Sequence, residues 1–176
     1  MSLLRRFDVE FLNTLVRVIA LRNSPEIVLV GLIVGPFREG EIYNLYYWIA
    51  ENLEKEGIIK IGEENVLALE QLEKLRWLQS TQKGGALLLL PPMFYSMAKR
   101  LVIHLSESSE PINIQRGERA TKTLQDLVNL RMAIIVRGAL SGLAKPPANQ
   151  TPEEESLYWE LHRNIDEHKK AFTGKA

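Results

Sequence analysis

The sequence predicts an α+β fold that is mainly α, in which a small β-rich domain precedes a helical bundle. Runs of β-branched residues between short turn signals are concentrated in the first part of the chain. Further along, apolar residues recur every three or four positions, which is the period of an amphipathic helix. We therefore predict a β-rich domain with one helix over residues 1–62 and a helical-bundle domain over residues 63–176.

Composition narrows the classes of protein that this chain can be. It has 176 residues and a formal net charge of +0, so strong binding to nucleic acid by bulk electrostatics is not expected. There is no cysteine, which excludes disulfides and thiolate metal sites and favours a cytoplasmic protein. Charges interrupt the N-terminal segment, and the apolar runs are too short to span a membrane, so we expect no membrane association.

Short strands and one helix are predicted in the first domain. Thr14–Leu21 and Glu26–Val34 are rich in β-branched residues and are predicted to pair as a hairpin. Ile42–Glu56 carries apolar residues at helical spacing and is predicted to be a helix. Two shorter elements complete the domain: an amphipathic turn or helix over Phe7–Leu12 and a third strand over Ile58–Ile61.

Four helices are predicted in the second domain. They are Glu63–Gln79, Met93–Leu105, Glu118–Leu143 and a last helix that begins after Thr151. Between them, Ser106–Gln115 is predicted to be a polar loop and Lys145–Gln150 a linker.

The helix over Glu118–Leu143 contains an unbroken apolar run, Met132–Val136, so it is either an ordinary core helix or one that packs partly against its own chain and partly against another chain. Its apolar stripe consists of Leu124, Leu127, Val128, Ile134 and Ile135. Arg131 interrupts this stripe. We expect Arg131 either to extend its charged end to water or to pair with a carboxylate from another element, because an unpaired buried charge is too costly.

The last helix has a strong N-terminal signal. Thr151 is a suitable N-cap, Pro152 a suitable first residue, and Glu154 completes a capping box. We attribute the acidic run to the helix dipole and expect Glu154 and Lys170 to face solvent. On that basis Glu154→Ala should cost about 0.3–1 kcal/mol. The apolar side of this helix carries Leu157, Tyr158 and Leu161.

No convergent set of titratable residues predicts an active site. His162 and His168 are six residues apart and do not share a helix face, and His104 is predicted to be a core or boundary residue. The common glycine motifs that bind phosphate do not occur. We therefore expect no catalytic residue, metal or cofactor. An enzyme with an unrecognised site is kept as a third hypothesis.

Two stretches resemble subunits of the GINS replication complex. Ile27–Ile61 is similar to the family's small β-rich domain, in which a strand runs into a Gly-Pro-Phe turn and a helix with a tryptophan, here Gly35-Pro36-Phe37 and Trp48. Phe94-Tyr95, then Thr123–Leu127 and Arg131, resemble the family's helical domain. Ile134 departs from the pattern, because the family often has lysine at that position.

The resemblance implies a non-enzymatic role in DNA replication. The order of the domains is that of one of the two GINS subunit types and suits an archaeal member. Expected partners are the second GINS subunit type in a heterotetramer, the MCM helicase, a RecJ-like protein, and primase or polymerase, in a nucleoid-associated protein. The residues assigned to a subunit interface or to the core are Phe94, Tyr95, Leu124, Leu127, Val128, Arg131, Ile134, Ile135, Leu157, Tyr158 and Leu161.

A small helical nucleic-acid-binding regulator is the alternative function. Arg116, Arg119 and Lys122 lie close to one side of the predicted helix and could meet phosphate. Acidic residues are interleaved with them, so we interpret this side as a solvated face and expect weak or no direct DNA binding.

Overall fold

A computed structural model of the protein describes residues 3–29, 31–142 and 145–174, with side chains from Asp8 onward. Val30 and Leu143, which two predicted elements include, lie outside the described residues. The predicted class is confirmed: a small β region is followed by a mainly helical region. The chain divides into two compact units, Met1–Leu67 and Ala68–Ala176, a few residues beyond the boundary predicted at residue 62.

A three-stranded antiparallel sheet forms the centre of the first unit. Its strands are β1 (Leu15–Ala20), β4 (Ile42–Tyr46) and β5 (Ile59–Ile61), and β1 lies between the other two. Two helices accompany it, α1 (Leu3–Leu12) and α2 (Tyr47–Lys55).

One face of this sheet is buried. β1 alternates strictly, with Val16, Val18 and Ala20 buried and the residues between them exposed. Ile49 and Leu53 of α2 are also buried, and α2 packs against all three strands. The sheet therefore has an inner face that the chain itself covers and an outer face that it leaves exposed.

The predicted hairpin between Thr14–Leu21 and Glu26–Val34 is wrong in its pairing. The second segment contains two short strands, β2 (Ile27–Leu29) and β3 (Leu32–Val34), which pair with each other. Gly31 has a positive φ of 81°, a conformation that glycine adopts without steric cost, so the chain reverses there. The bridge between Ser24 and Phe37 closes the base of this hairpin.

The helix predicted over Ile42–Glu56 begins later, at Tyr47. Ile42–Tyr46 is strand β4, paired with β1 in the register Leu15–Tyr46 to Ile19–Ile42. Its isoleucine and two tyrosines suit a strand, and the long-range pairing with β1 overrides the helical spacing. Trp48 and Asn52 of α2 are exposed.

The second unit is a bundle of four helices: α3 (Leu69–Thr81), α4 (Phe94–Ser106), α5 (Pro111–Leu140) and α6 (Pro152–Thr173). Helices α3, α4 and α6 all pack on α5. Two predicted boundaries are wrong. The segment Glu63–Asn65 is a 3₁₀ turn rather than the start of α3. The loop predicted up to Gln115 ends earlier, because Pro111 occupies the first position of α5, where proline is tolerated.

Ion pairs connect α3 to α5 along their exposed sides. The pairs are Glu70–Arg116, Glu73–Arg119 and Arg76–Asp126. They advance in the same direction along both helices, so α3 and α5 run parallel. Surface pairs of this kind contribute little each, but two of them place glutamates of α3 beside Arg116 and Arg119 of α5. Among the described residues, no helix is long and apolar enough to cross a membrane.

We predict that limited proteolysis separates the two units. Glu63 and Glu64 are exposed between β5 and α3, so a glutamyl endopeptidase should cut there first and release fragments ending and beginning near residue 64. Mass spectrometry of early time points measures this. First cuts inside α5, at Glu118 for example, would contradict the two-unit division.

Candidate functional site

The guanidinium of Arg131 is fully buried in the second unit, at 0% exposure. Its Nε and Nη2 donate to the two carboxylate oxygens of Glu154, at 2.6 and 2.8 Å. Its Nη1 donates to Gln79 Oε1 and to the backbone oxygen of Leu88, at 2.9 and 2.8 Å. Nη2 also donates to the backbone oxygen of Asn149 at 3.1 Å. All five N–H donors of the side chain are therefore satisfied.

Separate parts of the second unit supply these acceptors. Gln79 lies near the end of α3, and its amide is oriented by bonds to Ala86 O and from Leu88 N, both 2.9 Å. Asn149 precedes α6 and donates from its side chain to Leu87 O at 3.0 Å. We call the set Arg131, Glu154, Gln79, Tyr95, Leu88 and Asn149 the Arg131 network.

Glu154 receives bonds from three sides. Besides Arg131, the hydroxyl of Tyr95 on α4 donates to its Oε1, and the backbone N–H of Thr151 donates to its Oε2 at 2.9 Å. Burial by itself raises the pKa of Glu154, but the hydrogen bonds from Arg131 and Tyr95 outweigh it and leave this pKa below its ordinary value. Burial, and then the adjacent Glu154 charge, raise the pKa of Tyr95 well above its ordinary range.

The prediction that Glu154 faces solvent is wrong. Its side chain is 5% exposed and forms the capping box with Thr151 as predicted, but it also neutralises Arg131. A capping residue lies on the first turn, and here that turn faces the bundle. The expectation that Arg131 pairs with a carboxylate from another element is confirmed, and the alternative of a water-exposed charged end is not observed. Lys170 is exposed and pairs with Asp166 within α6.

None of the eleven residues assigned to an interface or the core is exposed. Phe94, Leu127, Arg131, Ile135 and Tyr158 are buried. Tyr95, Leu124, Val128, Ile134, Leu157 and Leu161 are half-buried. The half-buried group lies at the margin of the core, where a second chain could cover the remainder of each side chain.

A second cluster lies beyond the Arg131 network. Leu87, Ile135, Ala139 and Tyr158 are buried together, and the half-buried side chains Ile134, Leu157, Leu161 and Ile165 pack against them. Ile134, where the resembling family often has lysine, therefore packs on this apolar cluster. Gly138 lies inside α5. A Cβ there would approach Pro147 Cγ to 3.0 Å, so the glycine permits the linker to pack closely.

Arg116, Arg119 and Lys122 of α5 are exposed, as predicted for a solvated face. Arg116 and Arg119 pair with Glu70 and Glu73 of α3. His104, predicted to be a core or boundary residue, is exposed in the last turn of α4. The described residues contain no group of three or more His, Asp or Glu side chains placed to hold a metal ion.

The Arg131 network is suited to fixing structure rather than to binding a substrate. No N–H of the guanidinium is left to bind a ligand, and the side chain has no exposed surface. Gln79 and Asn149 were not identified from the sequence, since neither lies in a recognisable motif. Only the three-dimensional arrangement connects them with Arg131.

Comparison of the chain with protein-family models and with curated protein sequences returns no match.

We predict that Glu154→Ala destabilises the protein by about 3–5 kcal/mol, because it leaves Arg131 buried without a counter-charge. Glu155→Ala is the matched control: this residue lies in the same first turn but is exposed, and its loss should cost less than about 1 kcal/mol. Urea unfolding measures both. Equal small costs would show that the pair does not stabilise the fold.

Stability should decline at both ends of the pH range. The pKa of Glu154 is lowered in the folded state, so its contribution is present above roughly pH 4.3 and is lost as the pH falls through the folded pKa. The pKa of Tyr95 is raised, so its contribution is present below roughly pH 10 and is lost as the pH rises further.

Urea unfolding at a series of pH values tests this. Tyr95→Phe should flatten the decline above pH 10, whereas the exposed control Tyr46→Phe should leave it unchanged. If the free energy of unfolding fell with the same slope above pH 10 in all three proteins, the role of Tyr95 would be contradicted.

Proposed function

We propose that this protein is a non-enzymatic structural subunit of a GINS-type complex in DNA replication. In that role it would bridge the MCM helicase and other proteins at the replication fork. Its partners would be the second GINS subunit type in a heterotetramer, the helicase, a RecJ-like protein, and primase or polymerase. The protein would accordingly be cytoplasmic and nucleoid-associated.

The observation that carries the proposal is the order and spacing of the resembling residues along the chain. Gly35-Pro36-Phe37 and Trp48 come first, then Phe94-Tyr95, and then Leu127 with Arg131. The second group is also coherent in space, since Tyr95 and Arg131 both bond to Glu154. If the likeness were due to chance, there would be no reason for two of its residues to bond to the same carboxylate, that of Glu154.

Exposed apolar side chains on the helical unit are consistent with a chain that assembles. Trp77, Leu89, Ile112 and Phe172 are each more than half exposed, with Phe172 at 84%. In addition, the half-buried Leu157 and Leu161 form part of the margin of the core. Stable oligomers typically bury roughly 2,000 Å² or more of surface, to which such residues contribute.

The alternative, a nucleic-acid-binding regulator, has less support. Arg116 and Arg119 are neutralised by glutamates of α3, so these two cations are not free to meet phosphate. This arrangement favours contacts with proteins over direct contacts with DNA.

We predict that the purified chain does not stay a monomer and forms a heterotetramer when mixed with the second GINS subunit type from the same genome. Native mass spectrometry and light scattering measure the species formed. The proposal would be overturned if the chain remained a soluble monomer at high concentration and did not bind the second subunit.

Two variants separate loss of assembly from loss of folding. Leu161→Asp places a carboxylate on a half-buried position, so it should weaken assembly while the monomer still folds. Leu127→Asp and Ile135→Asp should prevent folding, because both positions are fully buried and desolvating a carboxylate costs several kcal/mol. Circular dichroism reports folding, and normal assembly of Leu161→Asp would remove this surface from the interface.

A further inference from the structure

The outer face of the β4-β1-β5 sheet is rich in exposed apolar side chains. Leu15 is 63% exposed, Ile42 50%, Ile19 41% and Tyr46 40%. The register of β1 with β4 makes Leu15–Tyr46 and Ile19–Ile42 cross-strand pairs, so the four side chains form two apolar rows. Such a face on a sheet is normally covered by another layer of structure.

A polar row separates the two apolar rows. Arg17 pairs across the strands with Asn44, which places a guanidinium and a carboxamide side by side on the outer face. Neither side chain has a hydrogen-bond or ion-pair partner among the described residues. Arg17 lies between the two apolar rows, and Lys60 of β5, which pairs with Ile19, is a second cation on the same face.

The charges around Arg17 indicate where an anionic group would lie. Arg17, Ile19, Lys60, Glu63 and Glu64 line a depression of about 330 Å³, together with Ile42 and Ile61. The two glutamates lie after β5, and the N–H of Gly62 donates to Arg17 O at 2.8 Å, so they flank Arg17 on the β5 side. A carboxylate would therefore be bound on the β4 side, between Arg17 and Asn44.

Strand addition at the β5 edge of the sheet fits less well than binding on its face. β5 is an edge strand, but the outward N–H of Ile61 already donates to Glu54 Oε1 of α2 at 2.9 Å. A strand added there would have to displace this bond. A lone strand laid on the face would leave its own backbone groups unpaired, whereas a helix satisfies them internally.

We propose that this outer face binds an amphipathic helix of a partner protein whose apolar stripe is interrupted by one acidic residue. Leu15 and Ile19 are four residues apart, about 13 Å along the strand, with Arg17 midway. On a helix, positions i, i+4 and i+8 span about 12 Å on one side. Apolar side chains at i and i+8 would cover the two rows, and a carboxylate at i+4 would meet Arg17 and Asn44.

The test uses a synthetic peptide and the full chain. The peptide is an acetylated, amidated alanine- and glutamine-rich helix of about 17 residues, with Leu at i, Glu at i+4 and Leu at i+8. Amide chemical-shift titration should locate binding on β1 and β4. Replacing the peptide Glu by Gln, or Arg17→Gln in the protein, should each weaken binding about tenfold. Combining both changes should produce little further loss.

Two control variants leave the outer face intact. Lys55→Gln removes one positive charge from α2, on the covered side of the sheet, and Val28→Ser removes an exposed apolar residue of the separate hairpin. Neither should change the affinity. Shifts that are absent or lie elsewhere, equal affinity for the Glu and Gln peptides, or self-association of the chain through this face would each overturn the inference. It concerns the first unit alone and does not rest on the proposed function.

Discussion

Burial of the Arg131 guanidinium is the constraint on which the arrangement of the second unit depends. A charge removed from water is tolerated only when its counter-charge and hydrogen bonds are in place together. Here the acceptors come from the end of α3, the segment after it, the residue at 149 and the first turn of α6. Because all of them must meet one planar side chain on α5, the network fixes where these four segments lie.

The same constraint explains why the buried polar residues are poor candidates for binding a ligand. The donors of Arg131 are used within the fold, and Tyr95 bonds to the same carboxylate. The groups that remain available to bind other molecules lie on the surface. They are half-buried residues such as Leu157 and Leu161 in the second unit and the outer sheet face in the first.

Two of the residues that carry the resemblance to GINS subunits, Phe37 and Arg131, have clear structural roles in this chain. Phe37 is buried and bridges to Ser24 at the base of the β2–β3 hairpin, and Arg131 is the centre of its network. Trp48, by contrast, is exposed on α2, so packing within the unit does not explain why a tryptophan is at this position. The partners named in the proposal therefore depend on the order of the motifs along the chain rather than on the structural roles of these residues.

Local signals in the sequence determined the class of the fold, the helices of the second unit and the N-terminus of α6, where Thr151, Pro152 and Glu154 act through neighbouring backbone groups. Tertiary structure decided the rest. Ile42–Tyr46 became a strand through pairing with a segment far away in the chain, and β2 paired with β3 because Gly31 turned the chain. The first turn of α6 brought Glu154 to Arg131, 23 residues away in the chain. The periodicity of the sequence could not predict this pair, because spacing along a helix does not specify which neighbouring element its capping residue contacts.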